Sequence, residues 1–165
     1  MIQRTLIACC LFISFSLSSL AQDLTTFILV RHAEKAQDDD RNPSLSEIGQ
    51  ERAEKLSDLL GPMEISAIYS TPYKRTRNTV APIAEEKELE VMDYDFRNNQ
   101  LMAELLEAHR GGTVLISGHS NTTPILVNAL LGEERFGWLK EDEYDKIFIV
   151  TLSSLGNAKL TLLSY

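Results

Sequence analysis

The sequence predicts an α/β fold, a three-layer α/β/α sandwich with a mostly parallel central sheet and an antiparallel hairpin at its C-terminal end. Three observations predict it. Phe27-Ile28-Leu29-Val30 is a continuous apolar run, the pattern of a strand covered on both faces. Such runs alternate with segments of helical periodicity, in the order β-α-β-α-β-α-β-α-β-β. The last two runs, 147–152 and 159–163, flank Ser154-Leu155-Gly156-Asn157, a turn sequence that reads as a hairpin.

The elements follow in order. The first 21 of the 165 residues have a basic start at Arg4, an uncharged apolar stretch from Thr5 to Leu20, and small residues Ser19 and Ala21 before a cleavage position. They read as a secretory signal peptide, with cleavage after Ala21 and an exported, periplasmic or secreted product. The stretch is shorter than the roughly 20 residues a membrane span needs, so no stable insertion is expected once it is removed. Both cysteines, Cys9 and Cys10, lie in it. The remainder, 22–165, reads as a single domain with no disulfide and no thiolate nucleophile. Net charge is −8, which disfavours nucleic acid and anionic membrane surfaces as partners.

The first strand is read over 24–30, followed by a polar loop, 36–44, holding Asp38-Asp39-Asp40. That run lacks the glycine and terminal glutamate of a calcium loop and reads as a solvated tip. Ser46 is placed to cap a helix whose apolar side includes Leu56 and Leu60, and Gly61-Pro62 stops it. A second strand, 65–69, leads into Ser70-Thr71-Pro72 and a helix that Pro82 should end or kink. A short strand over 89–92 precedes acidic Asp93-Tyr94-Asp95. A helix over 100–110 closes on Gly111-Gly112. The strand 113–117 runs into Gly118-His119-Ser120-Asn121, and a helix over 123–131 carries Pro124 in its first turn. A charged connection, 133–145, holds the single tryptophan, Trp138.

Three distant segments share one layout, an apolar strand followed by a polar set and then a helix. They carry Arg31 and His32, then Ser70, Thr71 and Arg75, then His119 and Asn121. Parallel strands would bring all three sets to one sheet edge, where ligands bind in α/β folds. Arginines grip phosphate in a fork and stay charged. Cations around an imidazole keep it neutral, as a nucleophile requires. The constellation points to phosphoryl transfer through histidine.

L-V-R-H-A-E (29–34), S-T-P-Y-K-R-T-R-N-T (70–79) and G-H-S-N-T (118–122) together resemble the histidine phosphatase superfamily, of phosphoglycerate-mutase-like fold, in its short bacterial form. The resemblance implies that His32 is a transiently phosphorylated nucleophile. It implies that Arg31 and Arg75 bind the phosphoryl oxygens, that His119 stabilises the transferring group, and that no metal or other cofactor takes part. Asn121 and Glu34 are expected on the substrate side, although Asn121 reads equally well as a helix cap. Two departures stand out. Ala33 replaces the glycine usual after the histidine, and the acidic motif carrying the general acid of larger members is missing. Asp95 is the positional candidate for that acid, with Asp93 and Glu34 behind it. The expected function is an exported phosphomonoesterase acting on a small phosphorylated substrate. The alternative is a module of the same fold that binds inorganic phosphate or a phospholigand with weak or no turnover.

Overall fold

A computed structural model describes residues 23–165, so the expected signal segment lies outside the described residues. The elements are β1 (Thr25–Arg31), α1 (Glu47–Leu60), β2 (Ala67–Ser70), α2 (Lys74–Glu86), β3 (Val91–Asp93), α3 (Leu101–Ala108), β4 (Thr113–Gly118), α4 (Thr122–Leu131), β5 (Lys146–Ser154) and β6 (Asn157–Ser164). They form a six-stranded sheet in the order β3-β2-β4-β1-β5-β6. The pairs β3–β2, β2–β4 and β4–β1 are parallel, and β1–β5 and β5–β6 are antiparallel.

The side-chain alternation of β1 explains the three layers. Phe27 and Leu29 pack with Leu105, Leu126, Val127 and Leu130 of α3 and α4. Ile28 and Val30 pack on the other face with Leu56, Leu60, Val80 and Ile83 of α1 and α2. All four β1 side chains are fully buried. Burying one such side chain contributes about 1.5–3 kcal/mol, so a continuous apolar strand is the expected solution for the middle of the sandwich.

Local chemistry sets the element ends. The Ser46 hydroxyl accepts the Gly49 N–H at 3.1 Å and caps α1 as expected. Gly61 keeps right-handed dihedrals, so the stop falls to Pro62, which has no N–H to continue the ladder. Pro82 does not end α2, which runs on to Glu86. The acceptor that Pro82 leaves without a donor belongs to Asn78, on the exposed side of the helix, where the carbonyl is open to solvent. Glu88 adopts φ 55, and the Leu89 N–H returns to the Ala84 carbonyl at 2.9 Å. This left-handed exit holds Leu89 to the helix end, so β3 begins at Val91 rather than 89. Gly132, at φ 70, terminates α4.

The topology positions the site. β1 and β4 are parallel neighbours, with Arg31 opposite Gly118. The chain leaving β1 enters α1 on one face, and the chain leaving β4 enters α4 on the other. A crevice forms where neighbouring connections diverge in this way, outside the carboxyl ends of the strands.

One glycine controls the wall of that crevice. The Glu34 carbonyl accepts the Ser46 N–H at 2.9 Å and lies against Gly49 in the first turn of α1. A Cβ at Gly49 would fall inside the contact radius of that carbonyl oxygen. Gly49→Ala is therefore expected to cost about 1–3 kcal/mol through overpacking. A urea midpoint equal to wild type would refute this.

Candidate active site

His32 follows the last residue of β1. Its N–H donates to the Gly118 carbonyl at 2.8 Å, which stitches it to the end of β4. The side chain is nearly buried. Nδ1 lies 2.8 Å from the carbonyl of Ala33. A carbonyl only accepts, so Nδ1 carries the proton and Nε2 keeps its lone pair. Nε2 has no hydrogen-bond partner among the described residues. Burial lowers the His32 pKa to about 3. The Ala33 bond acts against this shift, and the His119, Arg75 and Arg31 charges add to it. The ring is neutral at any ordinary pH.

His119 sits 5.4 Å from His32, centroid to centroid, with the rings edge to face. It is oriented from both sides. Arg75 Nη2 donates towards Nδ1 at 3.4 Å, and Nε2 lies 2.9 Å from the Thr71 hydroxyl. Thr71 donates to Thr76, and Thr76 donates to the Thr71 and Tyr73 carbonyls. That chain leaves the Thr71 oxygen to accept, so Nε2 of His119 is the protonated nitrogen. Burial, then Arg75 and Arg31, lower its pKa to about 4.

The two arginines are held differently. Arg75, in the first turn of α2, is half-buried and lies over the Tyr73 ring at 4.7 Å. Arg31 is buried, and its Nη1 donates to the Lys140, Glu141 and Glu143 carbonyls at 2.6, 3.3 and 3.1 Å. Its guanidinium stacks on Tyr144 at 4.0 Å, and its Nε is buried without a partner. Arg31, His32, Arg75 and His119 line one cavity of about 400 Å³, with Asn121 at its edge. Asn121 occupies the N-cap position of α4 but makes no capping bond through its side chain, and it is among the residues that line the cavity. Inside a basic pocket of this kind, a tetrahedral oxyanion meets preorganised donors and cations on several sides.

Residues 27–95 match the family model of the histidine phosphatase superfamily, branch 1. Over those residues the chain resembles the histidine phosphatase superfamily. Phosphoserine phosphatase 1 of Hydrogenobacter thermophilus is 40% identical over 78 residues, which span 44% of this chain and 37% of that protein. Among solved structures, a mycobacterial glucosyl-3-phosphoglycerate phosphatase superposes with TM-score 0.67 at 15% identity, covering 86% of this chain and 98% of its own. The protein histidine phosphatase SixA, complexed with tungstate, gives 0.66 at 19% identity over 84% and 96%. A phosphoserine phosphatase of Entamoeba histolytica, in complex with phosphoserine, gives 0.64 at 17% over 85% and 96%. These structures share the fold.

Against the histidine phosphatase pattern, Ala33 carries no backbone strain. Glu88 is the one non-glycine residue with positive φ among the described residues, so Ala33 fits where glycine is usual. Its N–H donates to the Thr79 hydroxyl at 2.8 Å, and that hydroxyl donates to the Arg75 carbonyl at 2.7 Å. Thr79 thus ties the loop that carries His32 to the arginine helix.

Two expected residues stand apart. Asp95 does not line the cavity. It is exposed and accepts the Arg97 N–H at 3.0 Å and the Arg97 Nε at 3.2 Å. Those bonds hold its carboxyl below the usual range, the wrong direction for an acid. Its neighbour Phe96 lines the cavity instead. Glu34 also turns away, to a two-oxygen pairing with Arg52. Burial pushes Glu34 up, but the Arg52 hydrogen bonds outweigh it and the net shift is down. Glu34 is a brace between the loop that carries His32 and α1.

Sequence reasoning missed Thr79, Tyr73 and Glu141, and favoured a loop-to-strand transition for Tyr144. Tyr73 and Thr79 sit inside the matched S-T-P-Y-K-R-T-R-N-T run, where spacing placed them beside Arg75. Glu141 and Tyr144 lie in the 133–145 connection, where no sequence signal marks them.

The neutral histidines make a prediction for the unliganded protein. Between pH 6.5 and about 4 the unfolded chain protonates both rings while the folded chain does not. Stability should therefore fall as pH falls through that window, since the unfolded state binds more protons. Carboxylates such as Glu34 act mainly below 4.5. Urea midpoints between pH 7 and 5 should drop for wild type and drop clearly less in a His32→Asn, His119→Asn double variant, which keeps only the contribution of His109, whose pKa burial also lowers. An equally steep drop in the variant would sink the assignment.

Proposed function

We propose that this protein is a phosphomonoesterase that works through a phosphohistidine on His32. One observation carries the reading. The Nδ1 of His32 is committed to a backbone carbonyl, while Nε2 keeps a free lone pair in a cavity lined by Arg31, Arg75 and His119. In the first half-reaction Nε2 attacks phosphorus and the ester P–O bond breaks. The arginines hold the equatorial oxygens, where charge spreads in the transition state, and His119 positions Arg75 among them. In the second, water attacks phosphorus, the N–P bond breaks and phosphate leaves. These steps use side chains alone, and turnover is expected to survive chelation.

The relatives support a small phosphorylated substrate. Their structures hold phosphoserine, 3-phosphoglyceric acid, inorganic phosphate and tungstate. The substrate for this chain is proposed to be encountered outside the cytoplasm, in keeping with the N-terminal segment. Mass spectrometry of the protein recovered from cells should then find Gln22 as the first residue, and an intact Met1 would refute export by cleavage.

The phosphatase reading is tested by rapid acid-free quenching with a ³²P-labelled ester. An acid-labile, base-stable phosphoenzyme that turns over supports it. The displaced Asp95 favours a second reading, a module that binds phosphate without efficient turnover. Saturable phosphate binding with no phosphoenzyme and no release of product would establish that instead.

A further inference from the structure

A leaving alkoxide needs a proton, and the residue expected to give it lies elsewhere, bonded to Arg97. The cavity is lined by two carboxylates, Asp40 and Glu141. They differ in how they are held. Asp40 sits at the tip of the 36–44 loop, and its side chain makes no hydrogen bond or ion pair among the described residues. Glu141 sits in a turn pinned from several directions. Arg31 Nη1 collects the carbonyls of Lys140, Glu141 and Glu143. The Lys140 N–H closes the turn on the Glu143 carboxylate at 2.7 Å, and the Leu139 N–H reaches the Ser120 carbonyl at 2.9 Å.

The Glu141 carboxylate itself lies 3.8 Å from Arg31 Nη2, while its side chain remains 91% exposed. It is tethered to the phosphate clamp, one residue from the nucleophile, yet it stands at the mouth rather than the floor. The leaving group of a bound ester occupies the mouth, because the phosphoryl group must lie against His32.

We propose that Glu141 is the general acid for the leaving group, a role that rests on the phosphomonoesterase reading. As His32 Nε2 bonds to phosphorus, the P–O electron pair moves onto the ester oxygen, which takes the proton from the Glu141 carboxyl. In the second half-reaction the Glu141 carboxylate accepts a proton from the attacking water. His32 regains its lone pair, and the acid is restored.

The test uses full-length protein and two esters, p-nitrophenyl phosphate, whose leaving group needs little protonation, and glycerol 2-phosphate, whose leaving group needs it. Glu141→Gln keeps the backbone carbonyl that Arg31 binds. Its turnover of glycerol 2-phosphate should fall about 10²-fold or more, with a far smaller loss on the aryl ester. Glu141→Asp should recover part of the difference. Equal losses on both esters, or none, would overturn the assignment, and so would a selective loss in Asp40→Asn. Wild-type protein that turns over neither ester would overturn the phosphatase reading itself, whereas a uniform loss overturns the acid alone.

Discussion

His32→Ala should reduce turnover of every phosphate ester by at least about 10⁴-fold, because it removes the atom that bonds to phosphorus. The pocket offers no substitute. His119 is turned by Arg75 and Thr71 so that its own Nε2 is a donor, and the cysteines lie outside the described residues. The phosphoenzyme should vanish with the activity. Phosphate binding should not, since Arg31 and Arg75 remain to hold it. Inorganic phosphate should still raise the melting temperature of the variant, as any ligand selective for the folded state does. Turnover within tenfold of wild type would show that water attacks the ester directly and that His32 is not the nucleophile.

Arg31→Met should damage both activity and stability, and the pairing of effects distinguishes it from Arg75→Met. Arg31 is buried, and it is the donor for three carbonyls of the 140–143 turn. Methionine fills similar space but leaves those carbonyls and the face of Tyr144 without their partner. The expected cost is about 1–3 kcal/mol of stability, because the part-buried carbonyls of the turn lose a charged donor. Turnover should fall about 10³-fold, in line with removal of an arginine that stabilises a transferring phosphoryl group. Arg75 is half-buried, and its partners are His119 and the Tyr73 ring. Arg75→Met should lose comparable activity with little change in the urea midpoint. An Arg31→Met midpoint equal to wild type would refute the clamp.

The fold was legible because its strands were written as continuous apolar runs. The alternation of Phe27, Ile28, Leu29 and Val30 between two cores is what a covered parallel strand means in sequence. Strand ends were less legible, since the left-handed Glu88 and the solvent-side Asn78 are tertiary outcomes that composition does not announce. His32, Arg31, Arg75 and His119 were legible because each directly follows a strand or opens a helix, so topology alone brings them together. Asp95 sits just past β3, the outermost parallel strand, three positions from β1 in the sheet order. Strand-end reasoning treats all carboxyl ends alike, and the edge strand is where that fails. The 133–145 connection was opaque for another reason. Its part in the site comes from backbone carbonyls gathered by Arg31, and every residue type has a carbonyl.

The placement of β1 has a consequence for how the chain is made. β1 is the first strand of the described residues, but it pairs with β4 on one side and β5 on the other, and not with β2. A nascent chain ending before Thr113 holds an apolar strand with both edges bare, and one ending before Lys146 still leaves one edge open. Bare apolar edges pair with whatever strand is nearest, including that of another chain. Closing β1 requires contacts between residues far apart in sequence, which form slowly. The sheet thus cannot close around β1 until the chain has been synthesised through β5. Under the export proposed above, that delay would keep the chain open for threading through a membrane, and in any setting it exposes the chain to aggregation while the edges of β1 stay bare.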